Sequence, residues 1–420
     1  MSFQQGLSGL NATSKSLEII GNNIANANTY GAKSSRAEFA DVYAAALSGT
    51  GTSQVGIGVA IGGVAQQFTQ GNITTTDNPL DLAINGSGFF QVQDGNSTTL
   101  YTRNGQFKID REGYIVNNQK QKLMGYPADG AGVIQPGTAA PMQLPSAGIS
   151  PNPTAEIEME MNLDSRASTT TPSVGTIDFT DPRTYNNATS LTVYDAKGQD
   201  IALTYYFQKS ATDTWNVYVT ANGSSVLTDS SGEPAPVTTI NFPSTGGAPT
   251  SPALPFTFDI PAGTNAAGAE TLALTGVSMD FTGATQYGAT FGVTNLTQDG
   301  YAPGQLSGIS IEPTGIVMAR YSNGQSKPAG QLELANFRNP QGLQAQGGNA
   351  WSRSYASGDP ILGTPSQGNM GVLQSGALEE SNVDMTAELV NMITAQRTYQ
   401  ANAQTIKTMD QVMQTLVNLR

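Results

Sequence analysis

Residues 385–420 read MTAELVNMITAQRTYQANAQTIKTMDQVMQTLVNLR, and in them Met385, Met392, Tyr399, Ile406 and Met413 recur every seven positions. Leu389, Gln396, Ala403, Asp410 and Val417 fill the alternate positions of the same stripe, the pattern of an amphipathic helix with a heptad seam. The opposite end of the chain repeats the device: Phe3, Leu10, Leu17 and Ile24 fall seven apart, with Leu7 and Ser14 interleaved. A helix from about Asp384 to Leu419 would be ~54 Å long at 1.5 Å per residue, more than one small core can cover. Ser381 or Asp384 could cap it. Small and polar seam residues, Ser14, Gly21, Gln396 and Asp410, weaken a two-helix seam but suit several helices held in register. The two ends are therefore expected to meet each other and then neighbouring copies of the chain.

The stretch between them does not read as helix. Gly21 to Ser35, GNNIANANTYGAKSS, is rich in Asn and punctuated by Gly, a pattern of turns that marks a connector or hinge, with Asn22, Asn23, Asn26, Asn28, Tyr30 and Gly31 as its key positions. Val55, Ile57, Val59 and Ile61 alternate with Gly56, Gly58, Ala60 and Gly62, which predicts a strand whose bare face is approached by other backbone. From Leu80 to Tyr126 short apolar runs alternate with Asn85-Gly86, Asp94-Gly95 and Asn104-Gly105, the signature of an all-β unit built on hairpins.

Pro and Gly rise from Ala128 to Pro153, and a second β-rich region follows with strands expected at Leu191–Tyr194, Ile201–Phe207 and Trp215–Thr220. The texture of the first unit returns after Tyr301, as in a nested insertion. The fold class is thus α+β and multidomain: terminal helices pairing as an axial coiled coil around two nested, mainly β domains. The expected division is 1–28 with 382–420 as helical core, 29–71 with 366–381 as connector, 72–150 with 296–365 as first β domain, and 151–295 as the inserted one.

Composition excludes most chemistry. The 420 residues contain no Cys and no His, which removes thiolate and imidazole metal sites, disulfides and every His-based triad. Glu156, Glu158 and Glu160 share one face of a strand and do not oppose each other as glycosidase carboxylates must. Asp94-Gly95-Asn96 lacks the further spaced carboxylates of a calcium loop, and Gly56-Ile57-Gly58 and Gly86-Ser87-Gly88 lack the rest of a phosphate-binding loop. No enzyme activity, metal or cofactor is expected. A net charge of −13 argues against a nucleic-acid partner. No run of about 18 apolar residues predicts membrane insertion, and the opening MSFQQGLSGL lacks the basic and apolar regions of a signal peptide. Charged residues are only 12% of the chain, so its surfaces are polar without being ionic and inexpensive to desolvate against other proteins.

The stretches SGLNATSKSLEIIGNNIANANTYGAKSSRAEFADVYA, LDLAINGSGFF, YTRNGQFKID and LMGYP, then LANFRNPQGLQAQGGNAWSRS and the run from GALEESNVDM to the last residue, resemble the bacterial flagellar hook proteins within the rod and hook axial family. Ala32 departs from the family, in which many members carry an aromatic after Tyr-Gly. The resemblance spans roughly the first 145 and last 120 residues, while the middle matches in length and texture more than in motif. It implies a subunit that polymerises into a hollow, curved tube, a universal joint between rod and filament. It further implies partners in the rod, hook cap, hook-filament junction and flagellar export apparatus, with a place outside the cell and export without a cleaved signal. The nearest alternative is another axial subunit, a distal rod or junction protein, against which the large insertion argues. An extracellular adhesin-like β protein is disfavoured by the heptad ends.

Overall fold

The computed structural model describes residues 2–42, 56, 58–145, 147–170 and 177–418. The chain divides into two compact units, one formed by residues 1–146, 308–320 and 326–420, the other by 147–307 and 321–325, so the second is an insertion in the first.

Helix α1 (Ser2–Ala25) and helix α2 (Met385–Asn418) belong to the first unit and pack on each other. Asp384, of the two expected caps, starts α2: its Oδ1 accepts the N–H groups of Thr386 at 2.9 Å and Ala387 at 3.1 Å. Strands β1 (Ser35–Val42) and β2 (Gly58–Gln66) form an antiparallel ribbon, paired from Ser35↔Gln66 to Val42↔Gly58 with a register shift between Glu38 and Phe39, that packs on α1. Val59 and Ile61 lie in β2 as expected, while Val55 and Ile57 lie outside the described residues. The close approach expected of its glycines is confined to Gly58, where a Cβ would sit 2.1 Å from Ser8 Oγ. Gly62 and Gly63 face no such crowding, so the alternation there does not seat another backbone.

The β body of this unit runs through neighbouring strands Ser326–Leu332, Lys122–Pro127, Phe89–Gln93, Thr99–Thr102 and Ala350–Ser352. One face buries Leu82, Ile84, Phe90, Ile115 and Leu123 in the core. The other carries an aromatic cluster in which Phe68, Phe89, Phe337, Tyr101 and Trp351 meet edge to face, with ring centroids 4.8 to 6.1 Å apart.

The second unit closes two five-stranded sheets on a single core around Trp215, Tyr205, Phe207, Phe281 and Met159. Strands at Asn187–Tyr194, Asp200–Ala211 and Thr214–Ala221 cover the three expected from the sequence and run longer. On Glu156–Asp164, Ile157, Met159 and Met161 face inward, with Glu156 and Glu158 exposed.

Hairpin dipeptides overstate the turns. Asp94-Gly95 does join Phe89–Gln93 to Thr99–Thr102, but Gly105 is fixed by close approach: a Cβ there would meet Leu82 O at 1.6 Å. The turn chemistry actually repeated is an Asx residue followed three positions later by a residue in the left-handed region. Asp110, Asn117, Asp129, Asp195, Asp229 and Asn265 each accept the N–H groups of residues i+2 and i+4 on one Oδ. The fourth positions, Gly113, Lys120, Gly132, Gly198, Gly232 and Gly268, have φ between +64° and +86°.

Asp195 is buried, and its Oδ2 takes a third donor, Leu272 N–H at 2.8 Å. Burial alone would raise its carboxyl, but the N–H groups of Leu272, Gln199 and Lys197 outweigh it and hold the group below its ordinary value. A depressed folded value stabilises the protein above the unfolded value near 3.9 and ceases to do so as pH falls through the folded one. Asp195→Asn should therefore cost about 1.5–3 kcal/mol near neutral pH. Urea unfolding repeated at acid pH should show the gap between variant and wild type closing below about pH 4; a pH-independent gap would assign the loss to shape alone.

Candidate self-association surface

The two helices run antiparallel, with Asn23 beside Glu388, Gly9 beside Asn402 and Gly6 beside Ile406. Small residues make this possible. A Cβ at Gly9 would lie 2.8 Å from Asn402 Nδ2, and one at Gly6 would lie 3.1 Å from Ile406 Cγ1. The buried positions of α1 are Gly6, Thr13, Ile20 and Asn23. This face lies beside the predicted stripe and is not the stripe itself. Phe3 (51% accessible) and Leu7 are exposed, and Leu10, Leu17 and Ile24 are half-buried. Gly21, read as an approach point in the seam, faces nothing within 4 Å.

On α2 the same rotation applies. Met392 and Ile406 are half-buried, as expected of the seam, together with Glu388, Ala395, Asn402 and Met409. Met385, Leu389, Gln396 and Tyr399 are exposed. Val390 and Ile393, which the heptad reading passed over, are exposed apolar residues on the same helix. Because α2 has 34 residues against 24 in α1, and the pairing starts at the connector end, the last turns of α2 extend past the partner helix. Met413 and Val417, at 63% and 72% accessible, fall there. The helix pair thus leaves Phe3, Leu7, Met385, Leu389, Val390, Ile393, Met413 and Val417 exposed in the single chain.

The connector is stitched to its surroundings by hydrogen bonds. Asn22 and Asn23 lie in the last turn of α1. Buried Asn23 donates Nδ2–H to Ser35 O (2.8 Å) and Glu388 Oε1 (3.1 Å), and its Oδ1 accepts Ser35 N–H at 2.9 Å. Asn26 bonds back to Asn22, Asn28 is exposed, and Tyr30 O accepts Asn349 Nδ2–H at 3.0 Å. Gly31 is held at φ +70° where a Cβ would meet Asn104 N at 2.5 Å, and its N–H donates to Glu379 O.

At the centre of the stitching is the Glu379 carboxylate, fully buried. Oε1 accepts from Lys33 Nζ at 2.6 Å and from Gly71 N–H at 2.9 Å, and Oε2 accepts from Arg103 Nη1 at 3.0 Å. Both cations make further bonds: Lys33 Nζ donates to Thr69 O, and Arg103 Nη2 donates to Gly86 O while its guanidinium lies 5.4 Å from the Phe89 ring centroid. Burial draws the Lys33 ammonium below its usual value, against the pull of Glu379. Asn382 adds a parallel tie by accepting Ser34 N–H and donating to Gln67 O. Sequence reading missed Glu379, although Lys33, Arg103 and Glu379 stand in three of the quoted motifs, because nothing in their spacing shows that they meet.

No group of acidic, His or Cys side chains that could hold a metal occurs among the described residues, and no described helix is long and apolar enough to cross a membrane. Antiparallel terminal helices, tied through one buried carboxylate to a nested β body and keeping their apolar stripes uncovered, define a structural subunit of an assembly. The chain is 43% identical to the flagellar hook protein FlgE of Salmonella typhimurium and 42% identical to that of Escherichia coli, each covering 100% of both chains. It belongs to the flagellar hook protein family, a structural and not an enzymatic one.

Family models agree along the chain. The flagella basal body rod protein model matches residues 3–33, and the flagellar hook protein FlgE/F/G D1 domain matches 83–170. The flagellar basal body protein FlaE D2 domain matches 162–301, and the flagellar basal body rod FlgEFG protein C-terminal model matches 374–419. The hook protein of Treponema pallidum is 31% identical over 100% of this chain and 99% of its own. The crystal structure of Helicobacter pylori flagellar hook protein FlgE2 shares the fold, with TM-score 0.52 over 72% of this chain and 99% of that one at 14% identity.

Glu379→Gln should cost about 3–5 kcal/mol in chemical denaturation, because it leaves two buried cations without their counter-charge. The exposed Arg353–Asp359 pair is the control: Asp359→Asn should stay within about 1 kcal/mol of wild type.

Proposed function

We propose that the chain polymerises into the flagellar hook, a hollow curved tube that transmits torque from rod to filament as a universal joint. The observation that carries this reading is the exposed apolar stripe of the terminal helices, above all the overhang of α2 bearing Met413 and Val417. Several such helices, packed around an axis, would cover each other's stripes and supply the permanent contacts. In this reading Phe3, Leu7, Leu10, Leu17 and Ile24 on α1 face neighbouring copies. On α2 the same role falls to Met385, Leu389, Met392, Gln396, Tyr399, Ile406, Met413 and Val417.

The layers follow the sequence division: residues 1–28 with 382–420 form the axial core, 29–71 with 366–381 the connector, 72–150 with 296–365 the first β shell, and 151–295 the outer one. With charge sparse in the chain, contacts between shells are weak and uncharged and can slide as the tube bends. Rod, hook cap and hook-filament junction proteins meet the two ends of the tube. Subunits reach it through the flagellar export apparatus without a cleaved signal, and a chain free of Cys crosses such a channel without cross-links.

Leu389→Asp combined with Met413→Asp tests the division of labour. Both side chains are exposed in the single chain, so circular dichroism and the melting midpoint of the monomer should hold. Tube formation, scored by sedimentation and electron microscopy, should be lost, since each buried carboxylate costs several kcal/mol. Tubes of normal yield from the double variant would refute the axial role of the stripes.

A further inference from the structure

At residue 333 the chain changes strand partner. Leu332 closes the pairing of Ser326–Leu332 with Lys122–Pro127, opposite Gly125. Leu334 opens the strand Leu334–Asn336, which pairs with Phe89–Gln93 through Leu334↔Phe90 and Ala335↔Phe89. One further step of that register sets Glu333 across from Gln91, and Gln91 in turn stands across from Tyr101 on Thr99–Thr102. Leu332 and Leu334 belong to the main core of the unit, so strand alternation turns Glu333 to the other face, the face of Phe89, Tyr101 and Ala335 that Gln91 shares. Residues facing each other across an antiparallel pair have Cβ atoms about 5 Å apart, within reach of two long side chains.

Glu333 is 1% accessible. Its Oε1 accepts Tyr126 O–H at 2.6 Å, and among the described residues no Lys or Arg pairs with it. Its Oε2 is buried without a partner, and so is Gln91 Oε1. Two orphaned oxygens on facing residues share one difficulty: each is an acceptor that needs a donor, and an ionised carboxylate carries none. A single proton satisfies both, because the O–H of a neutral carboxyl at Oε2 is a donor and Gln91 Oε1 is its acceptor.

We infer that Glu333 is held as a neutral acid whose Oε2–H donates to Gln91 Oε1, a pH-sensitive clasp at the point where the strand changes partner. Burial pushes the Glu333 carboxyl up, against the pull of the Tyr126 hydroxyl. Tyr126, facing it from Lys122–Pro127, has its phenol pushed up to about 12, first by burial and then by its bond to Glu333, so it stays a donor to Oε1. Tyr101, facing from Thr99–Thr102, is likewise raised by burial, and beyond it Arg353 and Asp359 engage each other at 2.6 Å. The backbone bond at the junction is long, Glu333 N–H to Met124 O at 3.4 Å, which leaves the side chains to secure it. A folded value raised above the unfolded one fixes the sign. Stability from the neutral acid is complete below the unfolded value near 4.3 and is lost as pH rises through the folded one. The inference concerns the single chain and is independent of polymerisation.

Infrared spectra of the full-length chain carrying isotopically labelled glutamate test it. At about pH 6, where ordinary carboxylates are ionised, one isotope-shifted carboxylic-acid carbonyl band should remain in wild type and be absent from Glu333→Gln. Glu333→Gln keeps an acceptor for Tyr126 and supplies an amide N–H to Gln91. Its melting midpoint should match wild type near about pH 4 and exceed it increasingly as pH rises, the ratio of the two unfolding constants growing by up to about tenfold per pH unit. Gln91→Met removes the acceptor at similar volume, so the acid band should move to higher wavenumber. Absence of the acid band from the wild-type chain would overturn the inference, and that reading requires no variant to fold. A Glu333→Gln midpoint below wild type at neutral pH would also overturn it, because the Gln91 amide would then be turned to donate Nε2–H to a charged carboxylate. An acid band unmoved in Gln91→Met would do the same by removing Gln91 as the partner.

Discussion

Everything on the axial side of this molecule depends on one buried carboxylate. Glu379 stands just before α2, and its partners come from the segment after α1 (Lys33), from the segment after β2 (Gly71) and from the β body (Arg103). Four pieces of chain remote in sequence are fixed at one point. The energetic logic is asymmetric: a buried ion pair adds modestly to net stability, but removing its anion strands two cations in low dielectric. Such a site acts more as a specifier than as a glue. It allows one arrangement of connector and body, and torque applied to the helices has a path into the β body through charge-assisted bonds rather than through a loose linker.

The helix pair divides its surface in a way that only the structure shows. Within the chain the contact uses Gly6, Gly9, Thr13 and Asn23 on α1, small or polar residues that let α2 approach closely. Ile20 is buried with them and Ile406 packs against Gly6, while Phe3, Leu7, Leu389, Met413 and Val417 stay exposed. A monomer content to remain one would do the opposite and spend its leucines and methionines on its own seam. Gly9 against Asn402 and Asn23 against Glu388 fix register without consuming apolar surface, so the stripe survives for others.

Much of this was legible beforehand, and the misses have a common cause. Heptad spacing located both helices, capping chemistry offered Ser381 or Asp384 of which Asp384 is the cap, and the strands expected around Glu156–Glu160 and at Ile201–Phe207 lie within Glu156–Asp164 and Asp200–Ala211. What periodicity could not reveal was the face each helix turns inward, because hydrophobic patterning weights size and the inward face of α1 sets Gly6, Thr13 and Asn23 beside a single large apolar residue, Ile20. In the connector or hinge after α1, composition shows that Asn and Gly tolerate turns, but not that Asn23 is bonded to Ser35 and Glu388 or that Gly31 sits against Asn104. Turn dipeptides likewise stand for local preference, whereas Gly105 answers to Leu82 across the fold. Lys33, Arg103 and Glu379 lay in quoted motifs, yet a meeting of three distant residues is a tertiary fact.

Elsewhere the chain satisfies its polar groups close to home. Six Asx turns bind their own N–H groups, and along α2 the hydroxyls of Thr394, Thr398, Thr405, Thr408 and Thr415 all donate to carbonyls four residues back. A helix whose hydroxyls are already engaged offers its neighbours shape and apolar surface, with little directional bonding to hold them at one angle. That is the right chemistry for helices that must stay packed while the assembly flexes, because apolar contact tolerates small rotations that a hydrogen bond would resist.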